Sequence, residues 1–263
     1  MGSFRDDPEG ISIKTGNSVM EKWKDNLSFV LVETMENGNI GASARALKNL
    51  GFSRLELIKP GKFPSEEAGW FAHGAEDILD RTMVYSELTA ALNGKSVVIG
   101  TTQRPGKKRG LVYPVREAVK RIRSLSKHNR IALLFGREDR GLTNEETSVC
   151  SFMIRIPASP AHPSFNLAQA VLLIAYELSY GDHSVAPLPA VIGNEEFNGL
   201  FERLRKIMKM AGYKAKGIRH NEEDIMTHLK RLIARTGITE REAHMLHGII
   251  SQIEESLVKD SRR

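Results

Sequence analysis

The chain is 263 residues long, with 38 Lys and Arg against 32 Asp and Glu and a formal net charge of +6. Hydrophobic residues make up 41% and charged residues 27%, which excludes a disordered chain, and 6% aromatics is too few for a binder built mainly on stacking. A single cysteine, Cys150, excludes an internal disulfide and a cysteine-rich zinc site.

The length suits one large domain, or a large one with a small one. The most apolar run starts at Ala168, is interrupted by Gln169 and ends by Tyr176, short of the roughly 20 residues that cross a membrane. Residues 1–16 carry Asp6, Asp7 and Glu9 and no apolar stretch, so no secretory signal is read and a cytoplasmic protein is expected.

From residue 27 onward, short β-branched runs alternate with helical patterns. Residues 27–32, 54–58, 95–100, 130–135 and 151–156 read as buried strands, and 40–50, 114–123 and 166–180 have helical spacing. Such alternation predicts an α/β fold, a largely parallel sheet with helices on both faces. Residues 181–194, with two prolines and two glycines, break the pattern and read as a linker. Beyond them, 195–211, 221–236 and 239–259 each repeat apolar residues at three-to-four spacing, and Thr239 with Glu242 forms a capping box. The expected division is an N-terminal extension 1–25, an α/β domain 26–180, the linker, and a small all-α domain 195–263.

Three stretches carry candidate chemistry. After the first strand comes Asn37-Gly38-Asn39-Ile40-Gly41-Ala42-Ser43-Ala44-Arg45, whose small residues let a helix N-terminus approach a neighbour closely and favour anions or polar groups. A nucleotide-binding loop is one reading. Against it, the spacing is not G-x-G-x-x-G, and Lys59 follows the second strand where a ribose-binding acid belongs. Gly94-Lys95-Ser96 mimics part of a P-loop, but Thr89 replaces its first glycine. Arg45 is the single charged residue between Asn37 and Leu47; a surface ion pair is its plain alternative.

The second stretch, Phe135-Gly136-Arg137-Glu138-Asp139-Arg140-Gly141-Leu142-Thr143-Asn144-Glu145-Glu146, is a strand running through a glycine turn into a helix capped by Thr143 and Glu146. Gly136 stands at a strand's carboxyl end, where open α/β sheets bind ligands. The third runs from Ile156 through Pro163, Ser164, Phe165 and Asn166 to Val171, and an N-cap is the ordinary role for Ser164 or Asn166. His244 and His247 have helical metal-ligand spacing but no accompanying acid or histidine, so no metal is expected.

In this order and separation, the three stretches resemble the SpoU/TrmH class of SPOUT RNA methyltransferases, most closely the TrmJ branch, from about Leu27 to the last helix. The resemblance implies a C-terminal trefoil knot in the α/β domain, an exception to unknotted chains, holding S-adenosylmethionine. It implies methylation of the ribose 2′-hydroxyl of a cytidine or uridine in the tRNA anticodon loop, at nucleotide 32, by a homodimer. A ribosomal-RNA ribose methyltransferase, or an idle RNA-binding protein that kept the knot, is the alternative.

Carried over by position, the cofactor residues are Thr101, Thr102, Gln103, Gly136, Ile156, Ser164 and Phe165, and the catalytic ones Arg45, Asn39, Ser164, Asn166 and Glu138. Pro163 removes a backbone donor just before Ser164. Arg45 is too basic to serve as a formal base and is assigned to stabilising the developing oxyanion, with an RNA phosphate as proton acceptor. Residues 200–263 carry 14 Lys and Arg against 9 Asp and Glu, almost the whole positive excess. Lys209, Lys214 and Lys216 there, with Arg104, Lys107, Lys108 and Arg109, form the expected RNA-contacting set. A solvated basic helix face is the alternative for the tail.

Overall fold

Strand β1, Leu27–Val32, is buried at all six positions, so it must be covered on both faces. Phe29 and Leu31 enter one apolar cluster, and Val30 and Val32 enter another across the sheet. The computed structural model describes residues 22–103, 110–180, 188–213, 222–234 and 237–260; Arg104, Lys107, Lys108, Arg109, Lys214, Lys216 and most of the N-terminal extension lie outside these.

Six further strands join β1: β2 (Leu55–Ile58), β3 (Met83–Tyr85), β4 (Val97–Thr101), β5 (Val112–Pro114), β6 (Ile131–Phe135) and β7 (Phe152–Arg155). They form one sheet in the order β3-β2-β1-β6-β4-β7-β5, and every neighbouring pair is parallel. The five strands expected from apolar runs are present within about two residues of their expected bounds. The two edge strands, β3 and β5, were not anticipated: each has three residues and none fully buried, so neither shows an apolar run.

The cover is uneven. Helices α1 (Asn37–Asn49), α2 (Glu66–Ala72), α3 (Glu76–Asp80), α5 (Val115–Leu125) and α7 (Leu167–Tyr180) supply the Phe29 side. The Val30 side is closed by the short α4 (Leu88–Leu92), with Leu142 and Cys150 flanking α6 (Asn144–Ser148). The glycines of the first motif are explained by this packing. A Cβ on Gly41 would stand 2.1 Å from the Ala68 carbonyl oxygen of α2, and one on Gly38 would stand 3.2 Å from the Phe71 ring. What α1 approaches so closely is another helix.

The C-terminal helices α8 (Asn194–Met210), α9 (Glu222–Ala234) and α10 (Glu240–Asp260) have apolar clusters of their own, around Leu200, Ile207 and Ile250 and around Phe201, Met208 and Met226. Thr239 and Glu242 make the expected capping box at α10. Arg203 donates to His247 Nδ1 at 3.0 Å, a role for that histidine within helix packing. The segment before α8 is tied to the sheet: Val191 N–H donates to Asn129 Oδ1 at 2.9 Å and Asn194 N–H to the Lys95 carbonyl at 2.9 Å. Lys95 itself donates to both Glu56 carboxylate oxygens at 3.0 Å, a buried ion pair that accounts for the P-loop look-alike. Among the described residues no helix is long and apolar enough to cross a membrane.

The α1–α2 contact gives a test of this packing. Gly41→Ala raises helix propensity by about 1 kcal/mol, yet it must push α2 away and is expected to destabilise the protein by about 1–3 kcal/mol net. Urea unfolding measures the change, and an unchanged or raised midpoint would contradict the close approach.

Candidate active site

The second motif forms a loop that closes on itself. A Cβ on Gly136 would lie 2.2 Å from the Gly141 carbonyl carbon, so only glycine lets the strand end pass under the returning chain. Gly141 N–H donates to the Arg137 carbonyl at 2.9 Å, and the two residues pair as an antiparallel bridge.

Arg137 holds this loop from inside. Arg137 as a whole is 8% exposed. It donates to Glu33 Oε2 at 2.7 Å from Nε, and to the two Glu146 oxygens at 2.9 and 3.0 Å from Nη1 and Nη2. Glu146 Oε2 also accepts from Thr143 N–H at 2.7 Å, so one carboxylate caps α6 and fixes the loop before it. Glu33, just past β1, takes a φ of 49°, a left-handed conformation costing an ordinary side chain about 1–3 kcal/mol. The hydrogen bond from Arg137, aided by the charges of Arg137, Arg140 and Lys59, holds the Glu33 carboxyl below its usual value. The same two carboxylates hold the Arg137 guanidinium above its own.

Above the carboxyl ends of β4, β6 and β7 lies a cleft of about 140 Å³. All seven expected cofactor residues line it: Thr101, Thr102, Gln103, Gly136, Ile156, Ser164 and Phe165. Phe135, Leu142 and Ile154 add apolar lining, and Arg137, Glu138, Asp139 and Arg140 add charged lining of both signs. Thr101 Oγ1 donates to the Leu134 carbonyl at 3.1 Å and Thr102 N–H to the Ile154 carbonyl at 2.9 Å, which fixes the β4 end against both neighbours. Apolar side chains for a flat ring, with hydroxyl and amide groups beside them, suit a nucleoside.

The three motifs meet at Asn39. Its Nδ2 donates to Glu138 Oε1 and to Glu36 Oε2, each at 3.0 Å, and its Oδ1 accepts from Asn166 Nδ2 at 2.8 Å. Asn166 is also the N-cap of α7, its Oδ1 accepting from Ala168 N–H at 2.8 Å. The capping reading of that residue is realised, and the same side chain joins the third motif to the first.

Arg45 is placed differently. It is exposed, does not line the cleft, and makes no hydrogen bond or ion pair among the described residues. Lys209 is exposed, and 3.9 Å from it lies Glu222, which also faces Arg205 at 3.6 Å; the basic run is thus partly neutralised by a carboxylate beyond its sequence limits. Arg137, Glu33 and Glu36 were not singled out from the sequence. Arg137 sits among other charges in its motif, where pattern alone does not separate a buried guanidinium from its exposed neighbours.

Residues 26–176 match the SpoU rRNA Methylase family. The chain belongs to the SpoU methylase family. Over 245 residues it is 34% identical to the tRNA (cytidine/uridine-2′-O-)-methyltransferase TrmJ of Pectobacterium atrosepticum, covering 88% of this chain and 98% of that one. It is also 34% identical to the tRNA (cytidine/uridine/adenosine-2′-O-)-methyltransferase TrmJ of Pseudomonas aeruginosa, covering 87% and 93%. Among solved structures, TrmJ from Z. mobilis superposes with a TM-score of 0.75 at 29% identity, covering 86% of this chain and 98% of that one. The SpoU match spans the whole parallel sheet and its cleft, and the relatives extend the likeness into the C-terminal helices.

The Arg137 tie makes a prediction for this SpoU loop. A carboxyl with a lowered folded-state pKa adds stability in full above its unfolded-state value, and that stability is lost as pH falls through the folded-state value. Arg137→Met should cost about 3 kcal/mol at neutral pH and flatten the acid-side fall in stability. Urea unfolding at neutral pH and near pH 3.5 measures both; an equally steep acid slope in the variant would contradict the tie.

Proposed function

We propose that this chain transfers a methyl group from S-adenosylmethionine to the ribose 2′-hydroxyl of a pyrimidine in the tRNA anticodon loop, at nucleotide 32. The observation that carries the reading is the Glu138–Asn39–Asn166 chain, which gathers all three motifs beside a cleft suited to the cofactor. The ribosomal-RNA alternative shares the sheet and the cleft. The likeness to tRNA-modifying relatives over 88% of the chain, C-terminal helices included, favours tRNA.

S-adenosylmethionine supplies an electrophilic methyl on a sulfonium, needing no metal and no protonated leaving group. The protein's part is to hold the ribose oxygen in line and stabilise its developing charge. Thr101, Thr102, Gln103, Gly136, Ile156, Ser164 and Phe165 hold the cofactor, and the family's trefoil knot is part of the same reading. Glu138 and Asn39 orient the 2′-hydroxyl, with Ser164 and Asn166 shaping the site around them. Arg45 stabilises the oxyanion, and the proton passes to an RNA phosphate.

Two copies belong to this reading, because Arg45 does not line its own chain's cleft. On α7, the helix packed against α1, Leu172, Tyr176 and Tyr180 form an exposed apolar stripe at four-residue spacing. A second copy on this face covers the stripe and is the source of the missing guanidinium. The expected linker and domain limits, a cytoplasmic location, and the basic residues Arg104, Lys107, Lys108, Arg109, Lys209, Lys214 and Lys216 as phosphate contacts complete the proposal.

The test is incorporation of labelled methyl into tRNA, mapped by the resistance of a 2′-O-methylated linkage to alkaline cleavage. Arg45→Ala should reduce turnover by at least about 100-fold while leaving S-adenosylmethionine affinity within about twofold. Full activity in the variant would remove Arg45 from the mechanism, and base methylation by the native protein would overturn the reading.

A further inference from the structure

Apart from the α7 stripe and the β3 edge, the large exposed apolar side chains of the α/β part include three beside the first motif. Trp70 is 73% exposed, Met35 68% and Phe71 52%. Single exposed apolar residues need no explanation, but a cluster of large ones marks an interaction surface. Phe71 is seated on the motif itself, since its ring comes within 3.2 Å of a Cβ built on Gly38, the residue before Asn39. Met35 stands on the loop entering α1, and its carbonyl lies 3.2 Å from a Cβ built on Gly61.

The charges around this cluster separate two kinds of ligand. Glu66, Glu67 and Glu36 are exposed close to the rings, with Glu67 Oε1 only 3.3 Å from the Gly38 Cβ position, so phosphates are repelled there. Two cations without a hydrogen bond or ion pair among the described residues flank it. Lys62 follows Gly61, and Arg45 lies one turn beyond Gly41 on the α1 face that meets α2. Aromatic faces edged by carboxylates, with free cations to either side, fit unpaired nucleobases whose amino groups face acceptors and whose backbone runs outward.

We propose that Trp70 and Phe71, with Met35, form a stacking shelf for unpaired anticodon-loop bases next to the target ribose. The inference rests on the RNA-methylating reading above. It adds a base-contacting surface on α2, separate from the basic residues assigned to phosphates. Stacking on such a shelf holds the loop open, so that one ribose is presented to Asn39 and Glu138.

The chain has two tryptophans, and Trp23 is 8% exposed, so Trp70 is the accessible reporter. In full-length Trp23→Phe protein, an anticodon stem-loop RNA should quench Trp70 emission, and a fully paired RNA duplex should not. Trp70→Ala, on a mostly exposed side chain, should raise KM for the stem-loop roughly tenfold with S-adenosylmethionine affinity unchanged, and Trp70→Phe should recover most of it. Stem-loop binding and methylation with no quenching and unchanged KM in Trp70→Ala would overturn the shelf while leaving the enzymatic reading intact. Emission that shifts with protein concentration and ignores RNA would assign the patch to a second copy and equally overturn it. Failure of the native protein to bind RNA would overturn both.

Discussion

One buried guanidinium sets the geometry of the cleft. Arg137 ties the end of β1 to the start of α6 through Glu33 and Glu146, and so holds the loop between Gly136 and Gly141 from inside. Because the loop folds back within 2.2 Å of a Gly136 Cβ position, there is no slack for a looser arrangement. Glu138, next in sequence, is thereby aimed at Asn39. Removing either acid would leave the buried guanidinium with one carboxylate partner in place of two, and removing both would leave a buried charge unpaired, which costs far more than the pairs contribute over an apolar substitute. The left-handed backbone at Glu33 is held by the same contact, so strain and its restraint coincide at the edge of the cleft.

What the sequence disclosed follows from what patterning encodes. Strands β1, β2, β4, β6 and β7 are buried on both faces and therefore appear as apolar runs, whereas β3 and β5 are short and exposed and leave no such trace. The seven residues carried over from the family resemblance line one cleft because they fall at strand ends and turns, which a parallel sheet gathers on one edge. Gly38 and Gly41 were legible as close-approach residues, but the partner was not, since only the fold reveals α2 beneath them. Arg137 was hidden among neighbouring charges, and Glu36 among the polar residues of a loop.

The two asparagines illustrate how one side chain serves structure and site together. Asn166 satisfies the first amides of α7 with its oxygen and reaches Asn39 with its nitrogen. Asn39 in turn donates its amide hydrogens to two carboxylates, Glu36 just before its own motif and Glu138 of the second. The cap therefore sets the position of the third motif relative to the first, and helix α7 is fixed in register by the contact that organises the site. Arg45, further along α1, is exposed and does not line the cleft.

Joined in this way, the three motifs should act as a single unit through Asn39. The most direct measurement is a double-mutant cycle on methyl transfer to tRNA with Asn39→Ala and Asn166→Ala, alongside unfolding of each variant. A unit predicts that either single change lowers turnover by nearly as much as the pair, with a coupling of at least about 1 kcal/mol in variants that remain folded. Losses that simply add, in folded proteins that still bind S-adenosylmethionine, would contradict it.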